Sequence, residues 1–300
     1  MLSHNKYLGL CLSGLIVLFG LNIQAGFAAA PTSAEYGVVL NLSGKQRVLS
    51  QKMSKEVMLV ALGIELDKNV SNLQTTSALF DKTLKGLRNG NAELRLPPTS
   101  SKRILRQLGK IDTLWAQFYP NIKEIISAKK VTAEQVKAIA TTNLPLLKEM
   151  NKAVGLYEKD AKKGGLKADP GLAATLNLSG KQRMLTQKMS KEFLLLAYGH
   201  EVEANRLSLL ETYTLFERTL KGLLDGDETL GLPGTKPQAI RNQLAVADKL
   251  WTDFKPIVVS AVEKQDKIQT PEIMKLASSN LPLLKQMNKA VGMYENEAAK

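Results

Sequence analysis

A block of sixteen residues, Asn41-Leu-Ser-Gly-Lys-Gln-Arg-Val-Leu-Ser-Gln-Lys-Met-Ser-Lys-Glu56, returns in the same chain as Asn177-Leu-Ser-Gly-Lys-Gln-Arg-Met-Leu-Thr-Gln-Lys-Met-Ser-Lys-Glu192. Only Val48/Met184 and Ser50/Thr186 differ, and both exchanges keep the chemistry of the side chain. The match continues through Phe80/Phe216, Leu96-Pro97/Leu232-Pro233 and Trp115-x-x-Phe118/Trp251-x-x-Phe254 at a constant offset of 136 residues. From Asn143-Leu-Pro/Asn280-Leu-Pro onward the offset is 137. A period this long is a duplicated domain; solenoid units are much shorter. Whatever the chain folds into must be built from two copies of one unit.

Each copy reads as four helices. The first is expected over about 34–66 and again over 171–204, and the second over 70–88, stopping at Asn89-Gly90-Asn91. The third opens at Ser100 or Ser101 and the fourth at Thr132, with Thr270-Pro271 opening its twin. Pro120, Pro145 and Pro282 fall inside helices and predict bends. The break at Lys162-Lys-Gly-Gly-Leu-Lys-Ala-Asp-Pro-Gly171 separates the copies, giving units at 31–163 and 168–300. No strand-like alternation competes. The expected class is all-α: two tandem antiparallel four-helix bundles.

Lys6, the apolar run Leu8–Leu21 and the small residues Ala25–Ala30 have the pattern of a secretory signal peptide over 1–28, with an uncleaved anchor as the runner-up. The only cysteine, Cys11, lies inside it. The mature chain is therefore expected to be exported, soluble and periplasmic, without disulfides or thiolate chemistry. The net charge of +13 comes from lysines spread along the chain rather than from a basic block. No nucleic-acid module is present, so no nucleic-acid partner is expected.

At about 100° per residue, Ser43, Arg47, Ser50 and Ser54 form one narrow polar stripe on the first helix. Leu42, Leu49, Met53 and Val57 flank it on one side, and Leu40 and Met58 on the other. Asn41, Lys45, Lys52 and Glu56 take the opposite face, the one expected to meet water. The stripe thus points inward, and Ser179, Arg183, Thr186 and Ser190 repeat it. An inward arginine keeps its charge, and stranding it costs several kcal/mol. Two solutions stay open. One is an internal ion pair with Glu65, Asp81 or Glu158 (Glu201, Glu217 or Glu295 in the second copy). The other is a bound small anion, held by the guanidinium fork and helped by hydroxyls. Gly44 and Gly180 would let another backbone come close. The candidate ligand-binding residues are Ser43, Arg47, Ser50, Ser179, Arg183 and Thr186.

The run Ser-Gly-Lys-Gln-Arg-Val/Met-Leu-Ser/Thr-Gln-Lys-Met resembles the signature of the PilJ-like domain, the periplasmic N-terminal part of type IV pili methyl-accepting chemotaxis transducers. It is more distantly similar to the P-box helix of nitrate/nitrite sensors. The resemblance covers both copies, strongly in the first helix and weakly elsewhere; Lys45 and Lys52 stand where arginine is common in the family. It implies a helical sensory bundle and, by analogy, an oxyanion held between two such helices by one arginine from each, here Arg47 and Arg183. A tandem chain would build that interface internally, as a pseudo-dimer; the rival arrangement is two separate bundles, each dimerising with another chain. No kinase, methylation region or signalling coiled coil is legible, so a separate membrane signalling protein or receptor is the expected partner. The alternative function is a ligand-free periplasmic scaffold or interaction protein for a receptor or pilus-related machinery.

Trp115, Trp251, Phe118 and Phe254 sit at core spacing. His200 stands alone, without partners for a metal site or a triad. Asn143-Leu-Pro and Asn280-Leu-Pro read as structural, the amide bonding backbone groups freed by a proline kink. Neither a catalytic constellation, a cofactor nor a metal is expected, and the chain does not read as an enzyme.

Overall fold

The computed structural model describes residues 31–166, 169–264 and 266–300. The signal-peptide assignment to 1–28 and Cys11 lie outside these residues. The first copy contains α1 (Ser33–Ala61), α2 (Leu66–Asn89), α3 (Lys102–Ala128) and α4 (Ala133–Lys163). The second contains α5 (Pro170–Tyr198), α6 (Val202–Asp225), α7 (Gln238–Glu263) and α8 (Thr270–Ala298). The fold is all-α, two tandem four-helix bundles. A two-stranded ribbon, β1 (Gly90–Asn91) with β2 (Leu96–Pro98), closes the α2–α3 turn.

Local chemistry sets the helix ends. Thr32 caps α1 and exchanges bonds with Glu35, and Thr132 caps α4 with Gln135 in the same reciprocal way. The first helix ends earlier than the periodicity predicts, because the chain turns at Gly63 and Glu65, both at positive φ. Gly199 and Glu201 repeat that turn. The helices α3, α4, α7 and α8 continue past Pro120, Pro145, Pro256 and Pro282.

The two copies are joined through their first helices. α1 packs on α2 and α4 of its own copy and on α5 and α8 of the other, and α5 does the reciprocal. The two run side by side in the same direction. Gly44 faces Gly180, and further along Lys55 reaches Asn280, whose amide also bonds the carbonyl of Thr186. One hydrophobic core therefore spans both copies.

This placement corrects the expected wet face of the first helix. Glu56 is 1% exposed, Gln46 and Gln51 are fully buried, and Asn41, Lys45 and Lys52 are half-buried. A helix surrounded by partners has no water-facing side, so a wheel that assigns one misplaces its charges. The expected bonds of Asn143 and Asn280 to the backbone of their own helices are not formed among the described residues. Each amide donates across to a first-helix carbonyl of its own copy, Asn143 to Ser50 at 3.0 Å and Asn280 to Thr186 at 2.9 Å.

Candidate ligand site

The inward stripe is buried as its periodicity demands: Ser43 and Arg47 are 2% exposed, Ser50 0% and Ser54 1%. In the second copy Arg183 is 2% exposed and Ser179, Thr186 and Ser190 are fully buried. The hydroxyls are occupied within their own helices. Ser43 donates to the carbonyl of Leu40, Ser50 to Arg47, Ser179 to Leu176 and Thr186 to Arg183. The groups that converge are the two guanidiniums, the two glycines and a pair of asparagines.

Each arginine crosses to the other copy. Arg47 Nη2 donates to the backbone carbonyl of Asn177 at 2.9 Å, and Arg183 Nη2 to that of Asn41 at 3.0 Å. Their Nη1 atoms reach the side-chain oxygens of Asn151 on α4 (3.2 Å) and Asn288 on α8 (3.4 Å). Both Nε–H groups are buried without an acceptor. The two fronts meet over the glycines. A methyl placed on Gly44 would lie 3.4 Å from Arg47 Nη2, 3.5 Å from Arg183 Nη2 and 3.9 Å from Gly180 Cα. The two Nη2 atoms therefore lie within about 7 Å of each other, the sum of the first two distances. Unit charges at that separation repel by about 2 kcal/mol at an effective dielectric of 20.

The internal ion pair, one of the two open solutions, is not formed: among the described residues neither arginine has a carboxylate within salt-bridge reach. The six proposed acids are otherwise placed. Asp81 holds Lys85, Glu65 holds Lys68 and Glu217 holds Lys255. Glu201 turns the chain into α6. Glu158 holds Lys162 and accepts from the Asn177 amide; Glu295 holds Arg95 and accepts from the Asn41 amide. These last two sit one asparagine away and act at a distance. Burial pushes Arg47 down to about 10, partly offset by Glu158. Arg183 falls to about 9 through burial and the nearby Arg47, against Glu295. Both remain charged at neutral pH. Lys45 and Lys181, half-buried beside the pair, are lowered by burial and by Arg183 and Arg47 respectively. Lys45 and Lys181 thus add positive charge near Arg183 and Arg47 respectively, and among the described residues none of the four forms a salt bridge.

A second cationic layer lies further along α1 and α5, and the sequence reading missed it. Lys55 (5% exposed) and Lys191 (4%) also cross between copies, to Asn280 Oδ1 at 3.1 Å and Asn143 Oδ1 at 3.3 Å. Burial lowers both to about 8, opposed by Glu56 and Glu192. Those buried acids pair in turn with Lys52 and Lys188, which also bond Thr76 and Thr212.

The model of the type IV pili methyl-accepting chemotaxis transducer N-terminal domain matches the chain twice, over residues 32–141 and 167–273. A relative, the methyl-accepting chemotaxis protein McpN of Pseudomonas aeruginosa, is 26% identical over 145 residues, covering 48% of this chain. The chain spans about a quarter of that relative's length, 26%. Among the described residues no helix is long and apolar enough to cross a membrane. With both copies matched from the first helix onward, the chain belongs to the PilJ family of chemotaxis-transducer sensory domains.

Proposed function

We propose that this chain is an exported, periplasmic, non-enzymatic sensory protein that binds one small planar oxyanion, nitrate or nitrite in kind, between Arg47 and Arg183. On this reading it reports occupancy to a separate membrane signalling partner. One observation carries the reading: two buried guanidiniums border the same glycine-lined space, each has a buried N–H without an acceptor, and neither has a carboxylate of its own. A bound anion would cancel a repulsion the apo protein must otherwise bear, and its oxygens would accept the idle donors. It would also draw α1 and α5 together across the copy boundary, so occupancy would alter how the two bundles sit on each other. The Ser43, Ser50, Ser179 and Thr186 hydroxyls line the same helix faces and would contribute by turning from their own carbonyls.

Calorimetric titration of the purified protein with nitrate and nitrite at fixed ionic strength tests this. The expected result is one anion per chain, with binding lost in either Arg47→Ala or Arg183→Ala. Thermal stabilisation should follow the same pattern, since a ligand held only by the folded state raises its stability. Two sites indifferent to these substitutions, or no binding by any small oxyanion, would leave the ligand-free scaffold as the better account.

A further inference from the structure

The duplication is broken beside the arginine pair, and the break is one-sided. A cavity of about 180 Å³ opens between α1, α2 and α8; Val48, Leu49, Leu79 and Leu284 form its apolar wall, and Lys45, Lys52, Thr75, Thr76 and Asn288 its polar part. That volume holds several waters at about 30 Å³ each, or one small hydrated ion. Its wall includes Asn288, whose side-chain oxygen accepts from Arg183 Nη1 at 3.4 Å. The exposed Asn288 side chain is thus common to the cavity wall and to the Arg183 contact. Lys45, half-buried in the lining, makes no salt bridge among the described residues. In the second copy the position of Val48 is taken by Met184, which is buried at 2% exposure, and that of Thr75 by the carboxylate of Glu211. The counterpart positions thus carry a longer buried side chain and an exposed carboxylate. A larger opening of about 390 Å³ is lined by Asn177, whose carbonyl Arg47 meets, but also by the carboxylate of Glu158, which would repel an entering anion. Its pseudo-symmetric counterpart is where Arg95 closes onto Glu295 at 2.7 Å.

We propose that this cavity is the entry vestibule of the anion site, with Lys45 as the receiving cation and Asn288 as the swinging partition before Arg183. The inference rests on the oxyanion reading above and adds a direction to it: the ligand enters from the first-copy side. A cation at a narrow mouth raises the local anion concentration and the association rate. A plug at the mouth slows entry and exit together and leaves the equilibrium nearly unchanged.

The second copy supplies the test residues. Val48→Met/Thr75→Glu gives the first copy side chains that the same helix pair already accommodates. Nitrate affinity is read by calorimetry, and exchange rates from the line shapes of the Gly44 and Gly180 amide resonances during a nitrate titration. The double variant should slow association and dissociation together, by about tenfold, with the dissociation constant within about twofold. Lys45→Gln should slow association and flatten its dependence on ionic strength. Met184→Val/Glu211→Thr should open a second route and raise both rates by up to about twofold. Unchanged rates in all three, with nitrate still bound one per chain, would overturn the vestibule alone. Absence of nitrate and nitrite binding by the unmodified protein would overturn the oxyanion reading and the vestibule with it.

Discussion

The α1–α5 contact carries two buried cationic layers, and they solve the same electrostatic problem differently. In the lysine layer each ammonium is next in sequence to a buried acid. Glu56 and Glu192 pair with Lys52 and Lys188 and oppose the desolvation of Lys55 and Lys191 through space, while the Lys55 and Lys191 tips end on Asn280 and Asn143. In the arginine layer the charges face one another, the nearest acids are committed elsewhere, and the acceptors in reach are neutral oxygens. Burying a charge is tolerable when a counter-charge is buried with it. The lysine layer meets that condition within the protein; the arginine layer leaves it to be met from outside. That contrast separates a structural polar layer from a binding site: loss of an acid from the first should destabilise, whereas the second has no acid to lose.

The largest effect is expected from breaking the lysine layer. Glu56→Leu leaves Lys52 and Lys55 buried or half-buried without their carboxylate, and removing one partner of a buried ion pair costs about 3–5 kcal/mol. Chemical denaturation should show that loss, while nitrate, if it binds the wild-type chain, should still bind what remains folded.

Next comes the pH dependence of the same layer. Lys55 and Lys191 titrate near 8 in the folded chain and near 10.4 when unfolded. Between those values the unfolded chain binds more protons, so stability rises with pH across the window. The contribution is at most about 3 kcal/mol per lysine. Denaturation at pH 7 and pH 10 should give a smaller rise for Lys55→Met/Lys191→Met than for the unmodified chain. The variant should also be the more stable of the two at pH 7. An equal rise in both would mean the lysines are not desolvated as placed.

Removing the arginines should raise stability, as removing Lys55 and Lys191 should, and opposite to the loss of Glu56. Arg47→Met/Arg183→Met removes a repelling pair and orphans no acid, because Glu158 keeps Lys162 at 2.6 Å and Glu295 keeps Arg95 at 2.7 Å. The ligand-free protein should gain about 1–4 kcal/mol and lose all response to nitrate. A strong loss of stability instead would show that the arginines serve the fold.

Much of this was legible in the sequence, for identifiable reasons. Duplication, helices and the inward aim of Arg47 and Arg183 follow from period and spacing, which are local. The lysine layer was not legible, because placing Lys55 and Glu56 requires knowing that α1 is enclosed on every side; amphipathic reasoning presumes a wet face. A signal was present all the same. The motif repeats at its supposed surface positions Lys45, Lys52 and Glu56, whereas the exposed positions of the next helix differ freely, as in Ser71 against Leu207 and Gln74 against Leu210. Identity between copies on a face assigned to solvent marks that face as packed. Asn151 and Asn288 also repeat, within Met150-Asn-Lys-Ala-Val-Gly155 and Met287-Asn-Lys-Ala-Val-Gly292, but identity does not say that each meets an arginine 104 or 105 positions away. Which carbonyl an arginine reaches across a copy boundary is likewise set only by the assembled packing.

The smallest expected effect on stability is the sharpest probe of the site. Gly44→Ala puts a methyl at ordinary contact distance from both Nη2 atoms, 3.4 and 3.5 Å, and 3.9 Å from Gly180 Cα. The helices need not move apart, and alanine favours a helix interior by about 1 kcal/mol over glycine, so thermal unfolding should shift little or slightly upward. The methyl nevertheless fills space that both guanidiniums border. If an anion occupies that space, nitrate affinity should fall by about tenfold or more in calorimetry, with no loss of fold to explain it. Were affinity unchanged, the anion would have to sit on the far side of the guanidiniums, toward Asn151 and Asn288. Gly44 and Gly180 would then serve only to bring two helices close.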